Sequence, residues 1–306
     1  MPIQPVAKIW MDGSLVNWED AQVHVLSHAL HYGSGVFEGI RAYETSQGTM
    51  VFRLDDHIKR LFKSAHIYHI DIPYQPEELI GAVKETIKVN DLAHCYIRPI
   101  VFLGYGEMGL NPFGVPVQVA IAVWPWGAYL GEEALEAGVR IKTSSWKRND
   151  QNSLPPAAKA TGQYINSILA KMEAVNGGYD EAIMLNQHGH IADGSGENLF
   201  VVHGGKVFTP PLSDGCLGGI TRDSVITIAR DLGIELVEKS LVRTDVYHAE
   251  EAFFTGTAAE VTPIRELDDR QIGEGKRGPV TKQLQETFFQ AATGEIEKYR
   301  GWLNPV

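Results

Sequence analysis

Residues 153–164 read SLPPAAKATGQY and place one lysine among prolines, alanines, a threonine and a glycine. No carboxylate lies within five positions of Lys159 on either side, so no sequence neighbour holds its ammonium group charged. If the segment is buried, desolvation lowers a lysine pKa and favours the neutral amine, which attacks carbonyl groups and forms Schiff bases. The alternative is an exposed lysine at the start of a helix, and this stretch alone leaves both open.

Composition narrows the class of protein. The chain has 306 residues, of which 44% are hydrophobic, and this is enough for one large or two medium domains. Its cysteines, Cys95 and Cys216, form no CxxC pair, which argues against a disulfide framework and a thiolate zinc site. The net charge of −11 argues against nucleic acid and anionic membranes as partners. With no signal-like start or long apolar run, the sequence predicts a soluble cytoplasmic protein.

Hydrophobic periodicity predicts an α+β chain. In the first half we expect a hairpin at Asp12-Gly13, a helix from Asp55 with that residue as its cap, a helix over 77–89, and strands at HCYIRPIVFLG and VQVAIAVWPW. In the second half we expect strands at VRIKTSSW and DEAIMLN, a hairpin at Gly204-Gly205, and helices at QYINSILAKMEAV, GGITRDSVITIAR and GPVTKQLQETFFQ.

The composition changes to small and acidic residues after Trp126. This predicts a small N-terminal domain over 1–127, a linker over 128–138 and a larger C-terminal domain over 139–306. Two α+β domains with the active site in the cleft between them are the simplest architecture.

Two glycine-containing turns could bind an anion. Gly218-Gly219-Ile220-Thr221 precedes an amphipathic helix, so its backbone N–H groups and the helix dipole favour a phosphate. Thr257 and Ala258 lie in a second small-residue turn, after a strand. Each pattern on its own is also typical of a tight loop.

Other side chains are candidates for recognition. Strand alternation places Tyr96 and Arg98 on one otherwise apolar face, where the guanidinium needs a carboxylate ligand or an internal ion pair. Asp193 and Glu197 lie in a turn before a strand. One of them could face a ring nitrogen and keep it protonated, and either could equally be a hydrogen-bonding residue of the turn. The spacing of His24, His28 and His31 (HVLSHALHYG) lacks an acidic or thiolate partner, so no metal site is predicted.

Together these segments resemble the class IV, fold-type IV aminotransferases, which use pyridoxal 5′-phosphate, and most closely the bacterial branched-chain amino acid aminotransferases. The stretches SHALHYGSGVFEGIRAY, YIRP, WPWGAYLG, AAKATGQY, GSGENLF, GITRD and TGTAAEVTP occur in the order found in that family. The resemblance covers nearly the whole chain and implies the two-domain fold of D-amino acid aminotransferase.

The resemblance implies roles at the cofactor. Lys159 is similar to the lysine that forms the Schiff base, Arg60 to the arginine that binds the phosphate, and Tyr164 to the residue at the phenolic oxygen. Asp193 takes the place of the ring-nitrogen partner, where the family commonly has glutamate, so the shorter side chain puts the geometry of that contact in doubt. The remaining cofactor residues implied are Leu217, Ile220, Thr221 and Thr257.

The resemblance also implies roles at the substrate. Tyr96, with the amides of Thr257 and Ala258, would hold the α-carboxylate, and Arg98 would take the second carboxylate of glutamate. The other substrate residues implied are Phe37, Gly39, Arg41, Tyr32, Leu110, Trp126 and Tyr129, some of them reaching across a dimer interface. The substrates would be L-leucine, L-isoleucine, L-valine, L-glutamate and their 2-oxo acids, in a homodimer or a hexamer built as a trimer of dimers.

Alternatives of the same fold are a D-amino acid aminotransferase, an R-selective amine transaminase and an aminodeoxychorismate lyase. The Tyr96-x-Arg98 strand disfavours all three. A non-catalytic protein that binds a phosphate ligand on this scaffold is an alternative of a different class. It would need neither Lys159 nor a carboxylate at the ring nitrogen.

Overall fold

The computed structural model describes residues 3–127, 130–131 and 133–306. The chain divides into two compact units. The first contains the residues up to 126 together with 158–162 and 291–306, and the second contains 127–157 and 163–290. Each unit has its own sheet and its own buried apolar core.

The helices alternate with strands along most of the chain. They are α1 (His28–Tyr32), α2 (Leu54–Ile67), α3 (Pro76–Val89), α4 (Ala134–Ala137), α5 (Tyr164–Asn176), α6 (Ile220–Asp231), α7 (Arg243–Tyr247) and α8 (Pro279–Ala292). The predicted helices in both halves are confirmed. None of the helices described is long and apolar enough to cross a membrane.

The strands of the first half are β1 (Lys8–Met11), β2 (Ser14–Asn17), β3 (Gly35–Phe37), β4 (Ile40–Thr45), β5 (Gly48–Phe52), β6 (Cys95–Leu103) and β7 (Val117–Trp124). Those of the second half are β8 (Val139–Thr143), β9 (Glu181–Leu185), β10 (Ile191–Gly194), β11 (Asn198–His203), β12 (Lys206–Thr209), β13 (Leu236–Glu238), β14 (Glu251–Gly256), β15 (Glu260–Leu267), β16 (Arg270–Gln271) and β17 (Leu303–Pro305).

The sheet of the first unit runs in the order β17-β5-β4-β6-β7-β1-β2, and β3 pairs with β6. Its pairings are antiparallel. The predicted hairpin is confirmed, because β1 and β2 pair across Asp12 and Gly13, whose φ angles are 46° and 90°. Aspartate and glycine are suited to that turn because it needs positive φ at both positions.

Helix α2 buries Leu54, Ile58, Leu61 and Ala65 in the core of the first unit. The prediction that Asp55 caps this helix is wrong, since α2 begins one residue earlier and its N-cap is Arg53 in a left-handed conformation. The carboxylate of Asp55 instead accepts a hydrogen bond from the amide of Asn304, at 2.6 Å. Because Asp55 lies in the first turn, its negative charge still interacts favourably with the positive end of the helix dipole.

The sheet of the second unit runs in the order β10-β9-β8-β15-β14-β11-β12-β13, with β16 paired to β15. It is mixed, because β8 pairs in parallel with β9 and β15, and β12 with β13. The hairpin predicted at Gly204-Gly205 is confirmed by the pairing of β11 with β12. Pairing of β11 with β14 brings Asn198 opposite Thr255, so the turn before β11 lies beside the turn after β14.

The two units differ from the sequence-based domains in three places. Residues 291–306 belong to the first unit because β17 pairs with β5. Residues 158–162 belong there as well, since Ala160 forms a β-bridge with Val36. The predicted linker 128–138 includes helix α4, which is part of the second unit. Pairing between residues distant in sequence, which composition does not reveal, decides the first two.

Candidate active site

The lysine segment is held by its backbone in the first unit. The N–H of Lys159 donates to Ser64 Oγ at 3.0 Å, and its carbonyl accepts from the N–H of Phe37 at 3.0 Å. Its neighbours Ala158 and Ala160 are buried, whereas Lys159 is half-buried. Its Nζ lies 4.9 Å from the centroid of the Phe37 ring. The segment is therefore fixed in place although it is neither helix nor regular strand.

Gly162, which follows Lys159 by three positions, lies close to the backbone of Gly33. A Cβ added to Gly33 would lie 2.7 Å from the Cα of Gly162, and Gly33 has a φ of +66°. The hydroxyl of Thr161 donates to the carbonyl of Gly33 at 2.7 Å. Glycine is required at this contact because a side chain would push the lysine segment away from the end of α1.

Arg60, predicted to bind phosphate, projects from α2 onto the carboxylate of Glu38. Its Nε donates to Glu38 Oε1 at 2.7 Å and its Nη2 donates to Oε2 at 2.8 Å. The Nδ1 of His57, one turn earlier, lies 2.8 Å from Oε2. Glu38 has no exposed surface, and His57 is also buried. Sequence reasoning missed Glu38, and its position between two candidate substrate residues was the only available signal.

The charge states of this cluster follow from its contacts. Burial has the largest influence on Glu38 and would raise its pKa, but Arg60 and His57 outweigh it and hold the pKa well below its usual range. Burial lowers the pKa of His57, against the opposing effect of Glu38, and Arg60 and Lys159 lower it further. The cluster therefore holds an anionic Glu38, a cationic Arg60 and a neutral His57.

Tyr96 and Arg98 project from β6 into an aromatic group of the first unit. The guanidinium carbon of Arg98 lies 4.8 Å from the ring centroid of Phe37, 5.3 Å from that of Tyr96 and 5.9 Å from that of Trp124. Its Nη2 donates to the Tyr96 hydroxyl at 3.2 Å. Arg98 Nε and Trp124 Nε1 are buried and have no hydrogen-bond partner among the described residues. These donors fit an anionic ligand group.

Gly39, Arg41 and Trp126 lie beside Tyr96. The ring centroid of Trp126 is 5.2 Å from that of Tyr96. Arg41 is buried opposite Tyr96 on β4, and its Nη2 donates to the carbonyl of Trp126 at 3.4 Å. A Cβ on Gly39 would collide with the Tyr96 hydroxyl, so only glycine leaves that hydroxyl where it is. The first unit thus brings together Phe37, Gly39, Arg41, Tyr96, Arg98 and Trp126.

Three other predicted substrate residues are not in this group. Tyr32 and Leu110 have exposed fractions of 45% and 89%. Tyr129 lies outside the residues that the structure describes. The ring nitrogens of His28 lie 2.6 Å from Ser34 Oγ and 2.8 Å from the carbonyl oxygen of Gly109. Within the described ranges no cluster of His, Cys, Asp or Glu could hold a metal ion.

In the second unit, Asp193 is held by an arginine that sequence reasoning missed. Arg148 Nε and Nη2 approach Asp193 Oδ1 at 2.8 and 2.7 Å. The same guanidinium donates to the carbonyl of Gly194 at 2.6 Å and to Ser167 Oγ at 3.0 Å. Arg148 and Asp193 are both buried. Because the pair is 45 positions apart in sequence, no local pattern could have predicted it.

Glu197, the alternative ring-nitrogen acid, is buried in a different environment. Burial and the nearby Glu181 raise its pKa to about 8, although the N–H of Gly196 donates to its Oε2 at 3.0 Å. Glu181 is paired with Lys171 at 2.8 Å. Burial therefore favours the neutral acid form of Glu197, whereas Asp193 faces a guanidinium.

The predicted phosphate donors of the second unit lie at two neighbouring turns. Ile220 and Thr221 are buried in the first turn of α6, whose N-cap is Gly219. The carbonyl of Leu217 accepts from the amide of Asn198 at 2.9 Å, which ties this turn to β11. Thr257 and Ala258 are half-buried after β14, where the buried hydroxyl of Thr255 has no partner in the described part of the chain. Tyr164 is half-buried at the start of α5.

Comparisons with known proteins agree with these motifs. The family model described as amino-transferase class IV matches residues 35–267. A curated Pseudomonas aeruginosa protein, named branched-chain-amino-acid aminotransferase, is 53% identical over 294 residues, which cover 96% of this chain and 95% of that protein. The crystal structure of the Escherichia coli enzyme of that name is 50% identical, with a TM-score of 0.96 over 98% of this chain and 99% of its own. The crystal structure of the T.th. enzyme with pyridoxamine 5′-phosphate has the same identity and TM-score, over 99% of both chains.

Proposed function

Because this chain belongs to the class IV aminotransferase family, we propose that it transfers amino groups between L-leucine, L-isoleucine or L-valine and 2-oxoglutarate, with pyridoxal 5′-phosphate as its cofactor. The family, the fold class and the cofactor expected from the motifs are confirmed. The relatives named branched-chain aminotransferases share about half of their residues with it over nearly their whole length.

The position of Lys159 carries this proposal. Its backbone is fixed on both sides, by Ser64 and by Phe37, and its Nζ lies 4.9 Å from the centroid of the Phe37 ring. A lysine that must meet one carbonyl carbon needs such positioning, because catalysis depends on the geometry of attack. An exposed solubilising lysine would need none of it.

The donors present fit pyridoxal 5′-phosphate, which when bound supplies an aldehyde for the amino group and a ring that withdraws electrons from the substrate. From the first unit, Lys159 would hold the aldehyde carbon and Arg60 the phosphate. From the second unit, the first-turn amides of α6 at Ile220 and Thr221 would bind phosphate oxygens, as helix N-termini do. Thr257 would add its hydroxyl, and Leu217 would contact the ring.

Two residues of the second unit would tune the cofactor ring. Asp193 would hold the proton on the ring nitrogen, and Tyr164 would contact the phenolic oxygen. Although aspartate is one methylene shorter than glutamate, Arg148 fixes the carboxylate of Asp193 through Oδ1. A fixed anion at that nitrogen keeps the ring protonated. Lys159 Nζ would take the proton from the Cα of the amino acid, and in the half-reaction with the 2-oxo acid it would return a proton to the Cα of the second substrate.

The aromatic group around Arg98 explains how one site could accept both leucine and glutamate. Tyr96, with the amides of Thr257 and Ala258, would bind the α-carboxylate common to all substrates. The rings of Phe37 and Trp126, with Gly39 and Arg41 beside them, would enclose a branched side chain. Arg98 rests on aromatic faces, which stabilise its charge when leucine is bound, and it would bind the second carboxylate when glutamate is bound.

Assembly and compartment complete the proposal. Tyr32 and Leu110 are exposed, and so are the neighbouring apolar residues Leu30, Met108 and Phe113. A second copy of the chain would cover such a surface, and these residues, with Tyr129, could then line the substrate site of that copy. We propose a homodimer, alone or as the unit of a hexamer, that works in the cytoplasm.

A donor panel tests the function directly. With 2-oxoglutarate as acceptor, the purified holoenzyme should use L-leucine, L-isoleucine and L-valine and should not use D-alanine. Its absorbance spectrum should contain the band of a cofactor bound to a lysine. Turnover of D-alanine without L-leucine would reassign the chain to the D-amino acid enzymes of this fold, and the absence of both activities with a bound phosphate ligand would favour the binding protein.

A further inference from the structure

Helix α2 has a polar stripe on the face that it buries. The stripe consists of His57, Arg60 and Ser64, whose spacing of three and four residues places them on one side of the helix. His57 and Ser64 are buried, and Arg60 is nearly so, next to the apolar residues Ile58 and Leu61. Burying polar groups on a packing face costs free energy unless each is bonded. The stripe is therefore expected to have a purpose beyond packing.

Each member of the stripe bonds a segment that the proposed function uses. Ser64 accepts the N–H of Lys159, whereas His57 and Arg60 both bond the carboxylate of Glu38. The N–H of Gly39 also reaches that carboxylate, at 3.3 Å. Both carboxylate oxygens of Glu38 are thus hydrogen-bonded. The preceding residue, Phe37, donates its N–H to the carbonyl of Lys159.

The geometry of the Arg60–Glu38 bond determines where the arginine can point. A guanidinium group is planar, so a carboxylate that binds both Nε and Nη2 fixes the plane of the group and the direction of its opposite edge. Glu38 itself cannot turn, because His57 and the Gly39 backbone bond its Oε2. A single bond to one nitrogen would leave the plane of Arg60 free to rotate.

We propose that Glu38 is a positioning residue for Arg60, which fixes the guanidinium in the orientation that binds the phosphate of pyridoxal 5′-phosphate. The proposal rests on the proposed function, because it takes that phosphate as the ligand of Arg60. Its consequence is specific, since loss of positioning should weaken recognition of the phosphate and leave recognition of the pyridine ring unchanged.

The decisive variant is Glu38→Asp, which keeps the negative charge but is too short for the two-point bond. The dissociation constants of the apoenzyme for pyridoxal 5′-phosphate and for pyridoxal, which lacks the phosphate, are measured by absorbance titration. We expect the preference for the phosphorylated form to fall about 10-fold or more, as when a group that orients a ligand-binding side chain is lost. The matched control Glu77→Asp, at an exposed position in α3, should keep the wild-type preference.

A double-mutant cycle shows whether the effect passes through Arg60. Arg60→Gln should lower the preference on its own, and adding Glu38→Asp to it should lower the preference no further. If Glu38→Asp does not fold, His57→Leu removes one of the bonds that hold Glu38 and should reduce the preference a few-fold. An unchanged preference in whichever of the two variants folds would overturn the proposal.

Other outcomes separate this inference from the proposed function. If Glu38→Asp weakens both ligands equally, Glu38 supports the fold only and the inference is wrong. If the preference rises, Glu38 acts by offsetting the charge of Arg60, which also overturns it. If the wild-type chain itself does not prefer the phosphorylated form, the cofactor role of Arg60 fails, and the error then lies in the proposed function.

Discussion

In the described part of the chain, each unit contains a buried carboxylate that is held by an arginine, and these two pairs are built in opposite ways. In the first unit the carboxylate is the centre, because Glu38 accepts bonds from Arg60, His57 and the backbone of Gly39. In the second unit the arginine is the centre, because Arg148 donates to Asp193 and to the carbonyl of Gly194.

The two pairs also differ in which member, the arginine or the carboxylate, would contact the cofactor. The phosphate needs a cation, and the anchored member of the first pair is Arg60. The ring nitrogen needs an anion, and the anchored member of the second pair is Asp193. In each pair, the partner that further groups also bond, Glu38 or Arg148, holds the partner that would meet the ligand. A buried ion pair contributes little net stability, so fixing the direction of one charge is a sufficient reason to keep it.

The largest effect should come from a residue outside both pairs. Neither pair performs the proton transfer, so Lys159→Ala should reduce leucine turnover at least about 10³-fold and remove the absorbance band of the lysine-bound cofactor. The exposed Lys63→Ala serves as control. Full activity in Lys159→Ala, measured by 2-oxo acid formation, would refute its assignment.

Breaking the second pair at its centre should cost stability. Arg148→Met leaves the buried carboxylate of Asp193 without its cation, which typically costs about 3–5 kcal/mol of unfolding free energy. Asp193→Asn should cost less, because the amide oxygen still accepts from Arg148. Urea unfolding of the apoenzymes measures both. Equal losses in the two variants would mean that Arg148 is not the centre of the pair.

Exchanging carboxylates shows which acid serves the ring. Asp193→Asn should lower kcat about 10²-fold, a size typical of a group that controls protonation. Glu197→Gln should change kcat little at pH 7, because the pKa of Glu197 is about 8 and glutamine resembles the neutral acid. The reverse pattern in steady-state assays would move the ring-nitrogen role to Glu197.

Arg98 differs from Arg60 and Arg148, because in the described part of the chain no carboxylate lies within ion-pair distance of it. If it serves the second carboxylate of the substrate, Arg98→Leu should lower kcat/KM for 2-oxoglutarate about 10-fold to 100-fold, as a lost charged hydrogen bond does. The half-reaction with leucine should change little. Single-turnover assays with each substrate separate the two, and equal losses would contradict this division of roles.

Taken per pH unit, the smallest effect concerns the acid that neither arginine holds. The pKa of Glu197 is raised from 4.5 to about 8, so the native state binds this proton more tightly than the unfolded state. Stability should therefore fall as pH rises from about 4.5 to about 8, at most on the order of 1.4 kcal/mol per pH unit. Glu197→Gln should remove this dependence. Parallel stability curves for both proteins between pH 5 and 8 would show that Glu197 is ionised in the native state.

Much of the local structure could be predicted because it depends on neighbours in sequence. The Asp12-Gly13 turn, the amphipathic α2 and α3, and the strand carrying Tyr96 and Arg98 follow from spacing and residue type. The cap of α2 was predicted wrongly, since the left-handed Arg53 is specified by its surroundings in the fold. The contacts of Arg60 and Asp193 could not be predicted, because Glu38 and Arg148 lie 22 and 45 positions away from them.

The sequence by itself determined the family and the cofactor class, and it predicted which residues would meet the cofactor, because the motifs that carry this chemistry are short and local. The tertiary structure alone decided how those residues are oriented: which carboxylate holds Arg60, which arginine holds Asp193, and which acid stays neutral. The physical reason is that a pKa or the plane of a guanidinium depends on burial and on charges a few ångströms away. Such distances are set by sheets that pair residues from distant parts of the chain.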